Sequence, residues 1–401
     1  MNRDQISAAS TSAVVISLVI AISAINPLSV NIIVPALTNM ADGLGTDFGT
    51  VQLTLSSYLF ATAIAQLIHG PLSDKFGRRP IILMGITIYV LASILCVAAA
   101  SIWVVIAGRI LQGFGAAAGF ALGRAIVRDL YEREKAASML GYVTMGFSTV
   151  PMIAPLIGGL ISDHLGWRLI FVFVGVVGFL LLVAVYFALP ETRRPMAEGQ
   201  TRPGFFQSFR ILSRIPAFWA YTLNLGFTVA GFFTFLGGTP FIATTLFGMT
   251  GTEYGIYYAF VPIGYFVGNW ITAALAARLG IGVMIRSGNL VALVGAIGSI
   301  FLLASDWQSP FALFAPMYLV GLGYGLSLAS CTAGAVSVRP VLAGAASGIA
   351  GSMQMGFGAM ATVIVGALLS LTQSAMPMPI LLTVLSVMGV AAGIWSRTAR
   401  T

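Results

Sequence analysis

The chain has 401 residues, of which 58% are hydrophobic and 8% are Asp, Glu, Lys or Arg, against about 45–50% and about 25% in soluble domains. That composition excludes an ordinary soluble protein and predicts a membrane protein. A net charge of +8 does not mark a nucleic-acid binder, because 18 of the 20 basic residues are arginines scattered between apolar runs, which suits membrane topology.

An apolar helix needs about 20 residues to cross the hydrocarbon layer. Twelve runs qualify, at 12–35, 50–69, 80–99, 101–123, 138–162, 168–189, 216–246, 253–277, 284–304, 309–332, 342–371 and 377–396. The polar start MNRDQISAAS has no apolar core or cleavage site, so the first span is expected to be retained. Taking alternate loops as one side, 18 basic residues collect on one face, Arg168 stands on the other, and Arg109 falls within the fourth span. Both termini and the middle loop are therefore expected in the cytosol.

The longest loop, 190–215, carries Pro, Gly and five arginines and reads as a linker between an N-terminal six-helix bundle over 1–189 and a C-terminal one over 216–401. The halves echo each other. SDKFGRRPIILMG at 73–85 aligns with AARLGIGVMIRSG at 276–288, pairing Gly77 with Gly280, Lys75 with Arg278 and Gly85 with Gly288. A weaker echo pairs MGF at 145–147 with MGF at 355–357. Two six-helix repeats predict an all-α polytopic fold of 12 transmembrane helices in two pseudo-symmetric bundles, the pattern of an alternating-access transporter.

Small residues at four-residue spacing allow close packing in lipid. Gly115, Gly119 and Gly123 form such a stripe in the fourth span, and Gly344, Gly348, Ser352 and Gly356 in the eleventh. After the second span comes GPLSDKFGRRP, in which Gly70 and Gly77 permit a tight turn, Asp74 can cap a helix start, and Lys75, Arg78 and Arg79 stand on the basic face. These residues resemble the gate signature of the major facilitator superfamily, and the resemblance implies that Asp74 clamps the cytoplasmic side. GRILQGFGAAAG at 108–119 resembles the fourth-helix R-x-x-Q-G motif of that family. APLIGG at 154–159, with Pro155, Gly158 and Gly159 and preceded by Gly141 and Gly146, resembles its antiporter motif. Together they resemble the twelve-helix drug:H+ antiporter group. VQLTLSSYLF, RAIVRDLY, GWRLIF and TPFIA are similar to phrases of the bicyclomycin and chloramphenicol resistance exporters (Bcr/CflA). The resemblance covers nearly the whole chain and implies a multi-pass protein of a bacterial inner membrane.

The 12 acidic residues all fall in loops or at span ends, whereas intramembrane carboxylates are the usual proton carriers of transporters. The resembled exporters carry an Asp in the first helix, in a phrase of the type S-x-D-x-Y-L-P. Here SVNIIVP at 29–35 places Asn31 at that position, and Asn does not titrate. Asp74, Asp129, Asp163 and His164 remain as candidate proton-coupling groups, beside a protonatable substrate or no coupling at all. His69 reads as structural, and so in the first instance does His164 beside Asp163, with a pH-sensitive contact as the alternative.

Arg109 is the formal charge deep in a span, and an arginine at the helix centre costs about 2.5–3.5 kcal/mol on insertion scales. It is expected to hydrogen-bond Asn26, Asn31, Gln112 or carbonyls freed beside Pro27 and Pro35. Two roles follow from its position: a positive field in a central cavity that orients an anionic or dipolar substrate, or a brace between the first and fourth helices. Tyr58, Gln66, Tyr221, Asn224, Tyr257, Tyr258, Tyr324 and Gln354, with Phe232, Phe233 and Phe235, are the candidates for the aromatic and polar lining that a drug-sized pocket needs; taken singly, each reads first as a packing or interfacial belt residue.

The expected function is secondary export of small amphipathic compounds by alternating access, coupled to protons. The alternative is export or facilitation of one metabolite, such as a siderophore or other organic anion, without a first-helix carboxylate. Cys96 and Cys331 lie in apolar runs and only two histidines are present, so no disulfide framework, metal cluster or cofactor is expected, and no enzyme constellation is found in the spans. A small-molecule substrate, protons and lipid are the expected partners of a monomer.

Overall fold

In the computed structural model, residues 3–131, 139, 142, 143, 146, 149–193, 205–305, 309–339 and 342–398 are described. All regular structure among them is helical. The first half contains α1 (Arg3–Asn31), a 3-10 turn (Val34–Ala36), α2 (Leu37–Leu44), α3 (Phe48–Phe76), α4 (Arg78–Val97), α5 (Ile102–Leu130), α6 (Val150–Leu165) and α7 (Arg168–Ala188). After the linker helix α8 (Phe205–Leu212) come α9 (Pro216–Pro240), a π turn (Phe241–Leu246), α10 (Gly251–Tyr258), α11 (Phe260–Leu279), α12 (Ile281–Ala304), α13 (Pro310–Ser337), α14 (Ala343–Thr372) and α15 (Pro377–Thr398).

Eleven helices among the described residues are long and apolar enough to cross a membrane. The fifth predicted span appears as α6, with 16 residues; most of 132–148, including Gly141 and two residues of the first MGF echo, lies outside the described residues. Several helices outrun their apolar runs, as α3 continues through Gly70 and Pro71 to Phe76, and α5 to Leu130.

Helix breaks inside spans follow the prolines. A proline ring clashes with the carbonyl four residues earlier. Pro35 stands four residues after Asn31, where α1 ends, and Pro262 four residues after Tyr258, where α10 ends. The seventh span passes from α helix to π turn at Pro240.

Helices α1–α7 pack among themselves, as do α9–α15, and the two sets meet along two seams, α3 against α14 and α6 against α10. Internal correspondence is visible atom by atom. Gly115 of α5 stands against the backbone of Gly85 and Tyr89 on α4, and Gly323 of α13 against that of Gly288 and Ala292 on α12. Gly77 and Gly280, paired by the sequence echo, both have positive φ, +100° and +82°, and both start the next helix. The glycine stripe of α5 is shared between neighbours of its own half: Gly115 meets α4, while Gly119 and Gly123 meet Ile22 and Ser23 of α1.

Candidate functional site

Arg109 is 1% exposed and is the largest fully buried side chain. Burial of a guanidinium requires hydrogen-bond partners, and each of its three nitrogens has one. Nη1 donates to Gln112 Oε1 at 2.9 Å, Nη2 to the Ser29 carbonyl at 3.1 Å and Nε to the Thr54 carbonyl at 3.2 Å. The Tyr58 ring lies under the guanidinium, 4.2 Å from its centroid to Cζ. Ser29 belongs to the last turn of α1, whose carbonyls have no intrahelical partner, so a cation there also offsets the negative helix end. Gln112, one helical turn on, passes its amide to Ser93 Oγ at 2.7 Å. Tyr89 Oη and Ser29 Oγ share a hydrogen bond that closes the cluster.

Of the partners expected for Arg109, Gln112 is present and the freed carbonyl is that of Ser29; the side chains of Asn26 and Asn31 take no part. Asn26 instead offers its carbonyl to Tyr58 Oη at 3.4 Å. Asn31 donates to the Pro27 carbonyl at 2.7 Å and accepts a hydrogen bond from Tyr258 Oη at 2.8 Å, which joins the two halves. Tyr89, Ser93 and Ser29 were missed from the sequence. Gly85, Tyr89 and Ser93 share one face of α4 at four-residue spacing, and that stripe was the available signal.

Around Tyr258 the second half supplies an aromatic wall. Phe235 lies 5.5 Å from it and Tyr254 5.8 Å, and Tyr257 stacks near Phe311 and Phe314 at 5.3 and 5.5 Å. Phe232 packs at 5.5 Å on Phe233, which is buried beside Gly358. Asn224 stands elsewhere, inside the second half, where it donates to the Gly389 carbonyl at 2.7 Å and accepts from Cys331 Sγ at 3.2 Å. Tyr324 is buried in that half near Gly231, and half-buried Tyr221 covers Gly334. Gln354 is half-buried on α14. Gln66 and Gly351 touch across the α3–α14 seam, and so do Gln52 and Gly366.

The face opposite the basic loops is sealed by contacts between the halves. Asp163, at the end of α6, caps the start of α10: its carboxylate accepts from Gly251 N at 3.2 Å, Thr252 N at 2.7 Å and Thr252 Oγ1 at 2.7 Å. Thr38 and Thr244 hydroxyls meet at 2.7 Å. Gly159 lies directly on the Gly251 backbone and Gly158 on the Ile32 carbonyl, so neither position has room for a Cβ. Pro155 is buried in α6 with its carbonyl near Gly255. His164 is exposed in the last turn of α6.

On the basic face the halves meet more sparsely. Ser352 Oγ donates to the Ala63 carbonyl at 2.8 Å and Arg124 Nη1 to Ser347 Oγ at 3.2 Å. Gly344, Gly348 and Gly356 of α14 have nothing within 4 Å of where a Cβ would stand. The gate signature folds as an ion cluster: Arg78 pairs with Asp74 at 2.7 Å and with Asp129 at 3.1 Å, and also reaches Ser73 Oγ.

Two expectations for that loop are corrected. The turn is confined to Gly77, since Gly70 lies within α3. Asp74 does not cap α4, because it sits in the last turn of α3. The cap is Glu191, which accepts from the backbone N–H of Arg78 at 2.9 Å, Arg79 at 3.2 Å and Arg193 at 2.9 Å. Its carboxylate occupies the space where any side chain at position 77 would stand. Burial disfavours its ionised form, but the N–H bonds outweigh that and hold the acid below the ordinary glutamate range. Arg79 reaches the Tyr186 carbonyl at 2.6 Å and Arg193 the Lys75 carbonyl at 2.9 Å, tying the end of α7 to the gate loop. His69 is fully buried with its ring edge-on to Phe114 at 4.8 Å. No grouping of His, Cys, Asp and Glu that could hold a metal occurs among the described residues.

Two helical sets that meet along two seams, with a buried cation in one set and breakable polar contacts on both faces, define a polytopic membrane transporter. The family model of the Major Facilitator Superfamily matches residues 19–363, and the chain belongs to that family. It is 31% identical over 348 residues, 85% of each chain, to multidrug resistance protein D of Escherichia coli. It is 32% identical to a chloramphenicol resistance protein of Pseudomonas aeruginosa over 87% of this chain and 81% of that one. The crystal structure of a bacterial homologue of the human lysosomal transporter Spinster, inward-facing and occupied, shares the fold with a TM-score of 0.74 at 16% identity over 96% of each chain.

Proposed function

We propose that this transporter is a secondary exporter, moving small amphipathic compounds from the cytosol or inner leaflet to the outside of a bacterial inner membrane by alternating access in exchange for protons. The basic face is cytoplasmic and holds both termini. Residues 1–189 and 216–401 rock as two units, joined by the linker 190–215, and the monomer suffices. The observation that carries this reading is the asymmetry of the seams. On the outer face Asp163, Thr38, Tyr258 and Gly159 of α6 bind the halves together, while on the cytoplasmic half of α14 Gly344, Gly348 and Gly356 face open space and the halves meet only at Gly351, Ser352 and Ser347 among the described contacts. The drug-resistance names of the relatives support a drug-like substrate class.

Coupling is assigned to carboxylate latches, one set per face. Protonation of Asp163 from outside removes an acceptor of three hydrogen bonds at the start of α10 and frees the outer seam. Protonation of Asp74 or Asp129 weakens the Arg78 cluster, which ties the ends of α3, α4 and α5 together on the cytoplasmic face of the first half. Each latch exchanges its proton with the solution on its own face, so that opening of the outer seam responds to the proton concentration outside.

The second reading, a facilitator or exporter of one organic anion, is favoured by Arg109 together with Asn31 at the position of a first-helix acid. Cells expressing the protein separate the two when loaded with labelled amphenicol or a ferric-chelator metabolite, with and without a protonophore. Exclusion of amphenicol that the protonophore abolishes supports the first reading; protonophore-insensitive movement of the organic anion alone supports the second.

A further inference from the structure

Away from both seams, the basic face carries a cleft of about 510 Å3 lined by Gln207, Arg210, Ile211, Arg214, Ile215 and Arg339. We infer that this cleft is a binding site for the phosphate headgroup of an anionic phospholipid of the inner leaflet. Three exposed arginines line it from three segments, α8, the turn before α9 and the turn between α13 and α14. No carboxylate lines it, and among the described residues none of the three pairs with an acid. Like charges gathered without a counter-charge repel one another, and a phosphate answers arginine forks in both charge and geometry.

The cleft is built rather than draped. Leu212, Ile215, Phe218, Ala335, Leu342 and Ala346 form a separate apolar cluster that pins the amphipathic α8 to the ends of α9, α13 and α14. Trp219 Nε1 donates to the Ser213 carbonyl at 2.9 Å and fixes the turn that carries Arg214.

Depth selects a lipid over a free ion. Trp219 is half-buried at the start of α9, and tryptophan in that position marks the headgroup level. Exposed Phe209 and half-buried Ile211 flank the arginines on α8, so the charged cleft adjoins apolar surface that suits acyl chains. Basic pockets between membrane helices on the cytoplasmic side are suited to cardiolipin or phosphoinositide-type headgroups.

The test is native mass spectrometry of the full chain released from phosphatidylcholine nanodiscs containing a minor fraction of tetraoleoyl-cardiolipin or phosphatidylglycerol. Retention of the anionic lipid is expected to fall about fivefold for each arginine removed, and about a hundredfold in Arg210→Gln/Arg214→Gln/Arg339→Gln. Arg286→Gln, on the same face, leaves retention unchanged. If the triple variant does not fold in phosphatidylcholine discs, the three single variants carry the test. Equal retention by wild type and variants, or no preference over phosphatidylcholine, overturns the inference. Displacement of cardiolipin by millimolar inorganic phosphate also overturns it, in favour of a free-anion site.

Discussion

Tyr258 donates a 2.8 Å hydrogen bond to Asn31, and each of the two residues ends a helix four positions before a proline. The pairing places the point where each broken helix bends on the contact between the halves. Removing the hydroxyl in Tyr258→Phe leaves the Asn31 oxygen buried without its donor. The expected cost is about 1–3 kcal/mol of stability in the sealed state, read as a lower Tm in detergent and as greater reactivity of a cysteine introduced beside Thr38. An unchanged Tm and unchanged reactivity would show that the bond does not hold the seam.

Arg109 satisfies three acceptors in three directions, which an ammonium on a flexible stem does not reproduce. Arg109→Lys is expected to lower stability by about 1–3 kcal/mol and to alter the ranking of anionic against neutral substrates. Asn31→Asp is expected to keep the Tyr258 bond, since a carboxylate accepts it, and to make transport more steeply pH-dependent. If Arg109→Lys and Asn31→Asp both leave transport and its pH profile untouched, the buried cation is a brace with no influence on the cargo.

Asp163→Asn retains the size of the outer latch while removing its charge from the start of α10. Loss of a charge at a helix N-terminus is worth about 0.3–1 kcal/mol, enough to shift a balanced pair of conformers two- to fivefold. Spin labels near the ends of α6 and α10 are expected to show more of the separated distance. A variant distance distribution identical to that of the wild type would remove Asp163 from the outer latch.

Glu191 links the end of the first half to its own gate loop. Its acidity lies below the ordinary glutamate value of 4.5, so its stabilising effect is complete above about pH 4.5 and is lost as pH falls through the lower folded value. Glu191→Gln is therefore expected to reduce Tm at neutral pH, with the difference from wild type closing in acid. A difference that stays constant down to pH 3 would mean that packing against Gly77, and not charge, accounts for the effect.

The spans were legible because each apolar run exceeds what a soluble core needs, and the Gly77/Gly280 pairing because both positions require the same backbone conformation. Gln112 was legible as the partner of Arg109 because three residues on one helix place two side chains together. The carbonyls of Ser29 and Thr54 were not, since backbone acceptors carry no residue signature. Glu191 escaped for a different reason. It lies 113 residues from Arg78, in a loop of mixed charge where one glutamate looks like any other. The mutual positions of Asp163 and Thr252 depend on how the halves dock, which no periodicity within one helix encodes.

The most direct test is uptake of labelled chloramphenicol into inside-out vesicles containing the purified protein, with an acid interior. Proton-coupled export predicts accumulation above that of empty vesicles, collapse on adding a protonophore, and loss in Asp163→Asn. Uptake no greater than in empty vesicles, or uptake unaffected by the gradient, would contradict it.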